Sequence, residues 1–248
     1  MTDTAIPAAT IVVMRERDGA DPELLAVTRG RAMAFAGGAL AFPGGRLDNS
    51  DHILAEGHDD PHAAWKIAAI RETIEETAVA VALEPAPSVT QAAELQARLH
   101  GGADFAALLR EFGFSPRLGD LTPFTRWKPA FAHARIFDTI FFIAAASEGE
   151  WDPQPQPGEC ESAEWVSAAE LLERLEAGTA HAIFPTKRNL ERLARFRSID
   201  DARADAAAHS LETITPWVEE VDGEQRVCIP EDRGYPVTSE PLATAFRA

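Results

Sequence analysis

"AAIRETIEETAVAV", residues 68–81, places an arginine and three glutamates on a stretch with helical spacing. At about 100° per residue, Glu76 falls roughly 40° to one side of Glu72 and Glu75 roughly 60° to the other. Ile67, Ile70, Ile74 and Ala63 gather on the opposite side. The pattern predicts a two-faced helix, apolar toward a sheet, with Glu72, Glu75 and Glu76 over an exposed stripe. Carboxylates within one turn repel each other and raise each other's pKa values unless a cation sits among them. Hard oxygen clusters of this kind suit Mg²⁺ or Mn²⁺. The plainer reading is a solvated acidic face with Arg71 paired to Glu75 at i,i+4. That is the default for an isolated glutamate pair in a chain with 40 acidic residues.

Upstream, "FPGG" (Phe42–Gly45) reads as a tight turn after a short strand. Glycine there lets a ligand or another backbone come close. Either feature alone is ordinary; together they point to a site. Around them the chain reads as α/β. Apolar runs Ile11–Met14 and Leu24–Val27 flank a turn with Asp18, Gly19 and Asp21, a hairpin pattern. "LTPFTRW" and the Phe-rich "RIFDTIFFIAAA" read as strands. Asp60 is the expected N-cap of the acidic helix, with Pro61 at its first position. Two short helices break at Gly101-Gly102, Ser167 caps a further helix, and Pro185-Thr186 opens another. An Asp-Gly turn joins two strands near the C-terminus. The expectation is one α/β domain over residues 1–248, with a helical insertion over about 88–115.

The formal charge of −17 argues against a nucleic-acid or anionic-membrane surface, since both need a basic face. An acidic protein can still hold a polyphosphate when divalent cations stand between the negative partners. Cys160 and Cys228 are far apart and read as buried free thiols in a reducing compartment, with one disulfide as the alternative. The N-terminal "MTDTAIPAATIVVM" lacks the basic flank and the length of a signal or span. The expected location is therefore cytoplasmic.

Gly45, Arg71, Glu72, Glu75, Glu76 and Val79 together resemble the signature of the Nudix hydrolases. That signature runs Gly, five residues, Glu, seven residues, then Arg-Glu-apolar-x-Glu-Glu-x-Gly-apolar. The resemblance implies an α/β/α sandwich around a mixed sheet. It also implies Mg²⁺- or Mn²⁺-dependent cleavage of a nucleoside diphosphate linked to another group. Two positions depart: the first glutamate falls at Ala63 and the late glycine at Ala78. The spacing from Gly45 to Arg71 is stretched by about 12 residues. That stretched form, with "RGRAMAFAGGALAFPGGRLDNSD", "GECESAEWVSAAELL" and "FPTKRNLERL", resembles the branch holding the animal peroxisomal coenzyme A diphosphatases. Related coenzyme A hydrolases carry a motif that Arg29, Gly38 and Phe42 match, while its second arginine falls at Ala34.

The resemblance makes Glu72, Glu75 and Glu76 the metal-binding and catalytic carboxylates, with the Gly45 carbonyl as a further ligand. Arg71 would orient a glutamate of the trio. Arg29, Gly44 and Phe42 would meet the substrate, Arg29 through a phosphate, and Arg135 is a weaker phosphate candidate. The general base is Glu72 or a loop glutamate among Glu148, Glu150, Glu159 and Glu161, with Glu159 and Glu161 favoured. His52, His58 and His62 read as loop histidines rather than a zinc site. Trp127, Trp151, Trp165 and Trp217 read as packing residues rather than an adenine platform. Coenzyme A or acyl-coenzyme A is the leading substrate, with NADH, ADP-ribose or another nucleotide as alternatives. A non-catalytic nucleotide sensor on the same fold, and a homodimer, also remain open.

Overall fold

The computed structural model describes residues 5–33, 36–129, 136–149 and 151–245. Its strands are β1 (Ile6–Arg15), β2 (Glu23–Arg29), β3 (Leu40–Ala41), β4 (Gly44–Arg46), β5 (Leu83–Glu84), β6 (Ser115–Pro116) and β7 (Thr122–Trp127). They continue with β8 (Phe137–Ala145), β9 (Cys160–Ser167), β10 (Thr213–Ile214), β11 (Trp217–Val221), β12 (Glu224–Cys228) and β13 (Ser239–Pro241). The helices are α1 (Asn49–Ala55), α2 (Ala63–Thr77), α3 (Val89–His100), α4 (Phe105–Phe112), α5 (Ala168–Glu176), α6 (Phe184–Leu193), α7 (Ile199–Ala208) and α8 (Leu242–Ala245).

The main sheet is mixed. β1 runs parallel to β8 from Ile6↔Phe137 to Met14↔Ala145. It is antiparallel to β2 at Met14↔Leu24 and Arg15↔Glu23, the hairpin expected from the sequence. Toward its start β1 takes a different neighbour on that edge, β4, through Ala8↔Arg46 to Thr10↔Gly44. β2 pairs instead with β3, at Val27↔Ala41 and Thr28↔Leu40. The two long strands therefore part, and the turn after Phe42 sits in the gap. The Ile11 N–H donates to the Pro43 carbonyl at 3.0 Å and pins that turn to β1.

Strand alternation sends side chains to two cores. Ala9, Ile11 and Val13 of β1, with Ile140 and Phe142 of β8, face α2, α3 and α4. Val12 and Met14, with Phe141 and Ile143, face α5, α6 and α7. The result is an α/β/α sandwich around a mixed sheet. Helices α3 and α4 meet at the Gly101-Gly102 break, and Ser167 caps α5 by accepting from the Glu170 N–H. Asp222 and Gly223, both at positive φ, turn β11 into β12.

Helix α2 differs from expectation at its start and on its face. Its N-cap is His62, two residues beyond Asp60. Asp60 instead accepts from the His62 N–H and from Lys66 Nζ, both at 2.8 Å, so Pro61 lies in the turn before the helix. The acidic stripe is not a solvent face. Every α2 residue but Trp65, Glu72 and Glu75 is buried, Glu76 included, because the chain around β4 lies over that side. At the other end Ala78 takes the left-handed conformation, φ 55°, that glycine favours at a helix C-cap.

Helix α7 was not signalled by the periodicity. Its buried side is made of small residues, Ala202 and Ala206, beside Ile199. Both cysteines are free and buried. Among the described residues no helix is long and apolar enough to cross a membrane.

Candidate active site

Four segments build the site: the end of β2, the turn between β3 and β4, helix α2, and the loop before β9. Gly44 and Gly45 are required by contact rather than by flexibility alone. A Cβ on Gly44 would lie 2.3 Å from the Ala9 carbonyl oxygen, and one on Gly45 would lie 2.4 Å from the Glu72 carboxyl carbon. A larger residue at Gly44 would push the turn away from the β1 backbone, and one at Gly45 would displace the Glu72 carboxylate. This close approach lets the Gly44 N–H donate to Glu76 Oε2 at 3.1 Å.

Arg71, only 5% exposed, organises the other two glutamates. Its Nη1 donates to Glu72 at 2.8 Å and to Glu75 at 3.2 Å. Its Nε and Nη2 bind the two carboxylate oxygens of Asp51 at 3.1 and 2.9 Å, and Nη2 also reaches the Arg46 carbonyl at 3.0 Å. The expected Arg71–Glu75 pair is therefore one arm of a larger buried cluster. Burial works against the Arg71 charge, but Asp51 and Glu72 hold its pKa above the ordinary arginine value.

The carboxylates carry the opposite strain. Burial pushes Glu72 up to about 7, with Arg71 pulling it down and Glu75 pushing it up. Burial and then the neighbouring Glu72 raise Glu76 well above the carboxylate range. Glu75 is raised by burial as well, partly offset by Arg71.

These residues line one cavity of about 540 Å³ together with residues of unlike character. Glu72, Glu75, Glu76, Asp48 and Glu159 form its acidic lining. Met33, Leu40, Trp127, Phe137, Phe141 and Pro185 form its apolar lining. Phe42, Gly44 and Gly45 line the cavity too. So does Arg29, whose buried Nε has no hydrogen-bond partner among the described residues.

Of the two favoured loop glutamates, Glu159 lines the cavity. Glu161 accepts from the Arg31 N–H at 3.2 Å with its side chain 42% exposed. The Glu148 carbonyl accepts from the Trp151 indole N–H, and Glu148 lines a separate groove. Ala34, Arg135 and Glu150 lie outside the described residues.

The histidines of the insertion are not all in a loop. His52 lies on α1, and His62 caps α2 with its ring edge-on to Trp65. Trp127 and Trp151 are buried as expected, whereas Trp217 is 42% exposed on β11. Asp51 is the residue that the sequence reading passed over. Its signal was local: Asp48 and Asp51 form an N-cap pair three residues apart before the apolar "HILA".

The donor set fits a hard dication. It offers carboxylate oxygens, backbone carbonyls of a glycine turn brought against α2, and burial that leaves negative charge poorly solvated. As arranged, Arg71 draws Glu72 and Glu75 while the Gly44 N–H draws Glu76. Among the described residues no three His, Cys, Asp or Glu side chains converge as a ready-made metal centre.

The NUDIX domain family model matches residues 5–186. The chain belongs to the Nudix family, and its activity is that of a Nudix hydrolase, cleavage of nucleoside-diphosphate derivatives by a family that generally uses divalent metals. The fold resembles the crystal structure of a NUDIX hydrolase from Alicyclobacillus acidocaldarius, at 29% identity and a TM-score of 0.72. That match covers 82% of this chain and 97% of the other. The NUDIX domain of Shewanella oneidensis NrtR, solved with ADP ribose, matches at 14% identity and a TM-score of 0.45, over 77% of this chain and 87% of that one. The MutT protein of Methanosarcina mazei Go1 matches at 16% and 0.44, over 79% and 96%. No curated protein matches the chain significantly.

Proposed function

We propose that the cavity hydrolyses the diphosphate linkage of coenzyme A or an acyl-coenzyme A, with Mg²⁺ or Mn²⁺ held at its acidic lining. The observation that carries this reading is the mixed lining of the cavity, where four glutamates and Arg29 share one wall surface with apolar and aromatic side chains. A diphosphate flanked by an adenosine on one side and a pantetheine arm on the other has the same two chemistries.

Glu72, Glu75 and Glu76, with the Gly45 carbonyl, would hold the metal, and the metal when bound would neutralise the diphosphate and stabilise charge developing in the transition state. The remaining work falls to the chain. Arg71 fixes Glu72 and Glu75 in place. Arg29, on the cavity wall, would meet a phosphate oxygen through its guanidinium. Phe42 and Gly44 border the substrate, Phe42 as apolar wall and Gly44 through its open backbone. Glu159 receives the proton of the attacking water, a role supported by its place on the cavity wall. Glu161 would act from further out.

We also take residues 187–245 to be part of the same unit. The support is contact: Arg188 of α6 binds Glu240 of β13, and the Tyr235 hydroxyl bonds Asn189 and Trp127. Residues 88–115, as α3 and α4, share the core of α2 and form the insertion.

A hydrolysis screen with Mg²⁺ or Mn²⁺ against coenzyme A, acyl-coenzyme A, NADH and ADP-ribose tests the proposal, with Glu75→Gln and Glu76→Gln as controls. Preference for the coenzyme A compounds is the expected result. Preference for NADH or ADP-ribose moves the substrate assignment and keeps the site. Binding without turnover makes the protein a sensor, and turnover that survives both variants moves the site.

A further inference from the structure

The start of α6 lines the cavity, and nothing in the diphosphate chemistry uses it. The helix opens at Phe184-Pro185-Thr186 after Ile183, a cap residue whose side chain offers no acceptor to a backbone N–H. Pro185 has no N–H, and those of Phe184 and Thr186 meet no acceptor among the described residues. Ile183, Pro185 and Thr186 all line the cavity. Aligned peptide dipoles leave partial positive charge at this end of a ten-residue helix.

A side chain at the same place also lacks its partner. Thr186 is 5% exposed, and its hydroxyl makes no hydrogen bond among the described residues. Thr73 and Thr77 of α2 are buried too, but each donates to the carbonyl four residues back, at 2.7 and 2.6 Å. Thr186 makes no such bond. Its oxygen keeps accessible surface, unlike Arg188 Nε and Asn189 Nδ2 further along α6, which are sealed without partners. The open space beside Thr186 is the cavity. A buried hydroxyl left unbonded costs free energy, and a ligand oxygen removes that cost.

We infer that the N-terminus of α6 is a second anion subsite of the cavity. The Phe184 and Thr186 N–H groups and the Thr186 hydroxyl hold a compact oxyanion, a phosphate or a carboxylate, that the substrate carries apart from its diphosphate. This deepens the hydrolase reading above and rests on it. Helix α2 packs on one face of the sheet and α6 on the other, and both reach the one cavity. The chain entering α6 is tied to β3, where the Leu40 N–H donates to the His181 carbonyl at 2.8 Å and Leu40 pairs with Ala182. β3 pairs in turn with β2, the strand that ends at Arg29. The subsite is therefore set relative to Arg29 and the Phe42–Gly45 turn by strand hydrogen bonds. A substrate without the second oxyanion leaves three donors unmet, which is a basis for selection.

The test uses the full-length protein and the variants Ile183→Asp, Thr186→Val and Thr186→Ser. Ile183→Asp supplies a side-chain cap that occupies the free N–H groups and places negative charge where the ligand's would lie. It should not lower the melting temperature. Inorganic phosphate and acetate are titrated in chelator, where the metal-free glutamates repel anions, and followed by ³¹P line width and by ¹H saturation transfer. The parent should bind at least one of the two. Thr186→Val should bind it about fivefold more weakly, the scale of one hydrogen bond, Thr186→Ser should recover the loss, and Ile183→Asp should not bind. Hydrolysis with Mg²⁺ then compares coenzyme A with dephospho-coenzyme A, NADPH with NADH, and succinyl- with butyryl-coenzyme A. The parent should prefer the member with the added oxyanion in at least one pair, and Thr186→Val should cut that preference about fivefold, through KM. Preference in the first two pairs assigns a phosphate, and preference in the third a carboxylate. Equal anion binding by parent and variants, or no preference in any pair, overturns the inference. If the parent hydrolyses nothing, the functional reading fails, while the anion titration still decides the subsite.

Discussion

Two buried arginines sit on opposite faces of the sheet, each among carboxylates, and their surroundings differ in charge balance. Arg71 of α2 is flanked by Asp51, Glu72 and Glu75, with Glu76 one turn on. Arg188 of α6, 1% exposed, meets Glu191 and Glu240, and Glu240 also binds Lys187 at 2.7 Å. With Asp48 also 3.9 Å from its Nη2, Arg71 thus stands against five carboxylates in the first cluster, while two cations stand against two carboxylates in the second. Burial drags Arg188 below its ordinary pKa, while Asp51 and Glu72 hold Arg71 above it despite burial. A balanced buried cluster holds elements together. An unbalanced one lining a cavity asks for a cation from solution.

The largest expected effect falls on the surplus charge of the first cluster. Glu76→Gln should reduce diphosphate hydrolysis about a thousandfold, the scale of several kcal/mol of lost transition-state stabilisation. Its melting temperature should not fall, because a neutral amide replaces a buried carboxylate and can still accept from the Gly44 N–H. An active Glu76→Gln enzyme would remove the distinction between the clusters.

Next in size is removal of each arginine. Arg71→Ala and Arg188→Ala both strand buried carboxylates, so each should cost about 3 kcal/mol in chemical denaturation. Their activities should part. The folded fraction of Arg188→Ala should keep its kcat, and that of Arg71→Ala should lose it. Equal loss of activity in both would mean that the second cluster also reaches the site.

Gly45→Ala sharpens the comparison by geometry rather than charge. Its added Cβ would sit 2.5 Å from both Glu72 carboxylate oxygens, and this end of a flexible side chain can swing aside. Stability should therefore change little while kcat falls about tenfold, a ratio worth about 1.4 kcal/mol. A wild-type rate in Gly45→Ala would show that the Glu72 position is not critical.

The sequence carried part of this contrast. The acidic stripe of α2 and the Pro-Gly-Gly turn were legible because helical period and turn chemistry are local. The same holds for the Gly101-Gly102 break, the Ser167 cap and the Asp222-Gly223 hairpin. Burial of Glu76 was not legible, because the segment covering it comes from β4, some thirty residues upstream. Asp51 escaped for a related reason. Counted back from Arg71 the first acid of the signature falls at Ala63, but counted forward from Gly45 five residues lead to Asp51, so the inserted residues lie between Asp51 and Arg71, 20 positions on. The start of α2 slipped from Asp60 to His62 because Lys66 and the His62 N–H claim the Asp60 carboxylate. Charge balance is likewise a property of packed neighbours, and Glu191 and Glu240 are far apart in the chain.

The smallest effect belongs to Glu191, where the balanced cluster is imperfect. One of its oxygens, Oε2, is buried without a hydrogen-bond partner among the described residues. Burial pushes its pKa up from 4.5 to about 7, with Arg188 pulling the other way. The folded chain therefore holds this proton more tightly than the unfolded chain does. Its contribution to stability is present below about 4.5 and is lost as pH rises from there through about 7. Glu191→Gln keeps an acceptor for Arg188 and removes the proton. Denaturant midpoints at pH 5 and pH 8 should show the variant gaining on the parent by about 2 kcal/mol at the higher pH. A difference that stays constant between the two pH values would show that Glu191 is ionised without cost. The Arg188 cluster would then be balanced in energy as well as in number, and the contrast with Arg71 would be wider than the hydrogen bonds alone suggest.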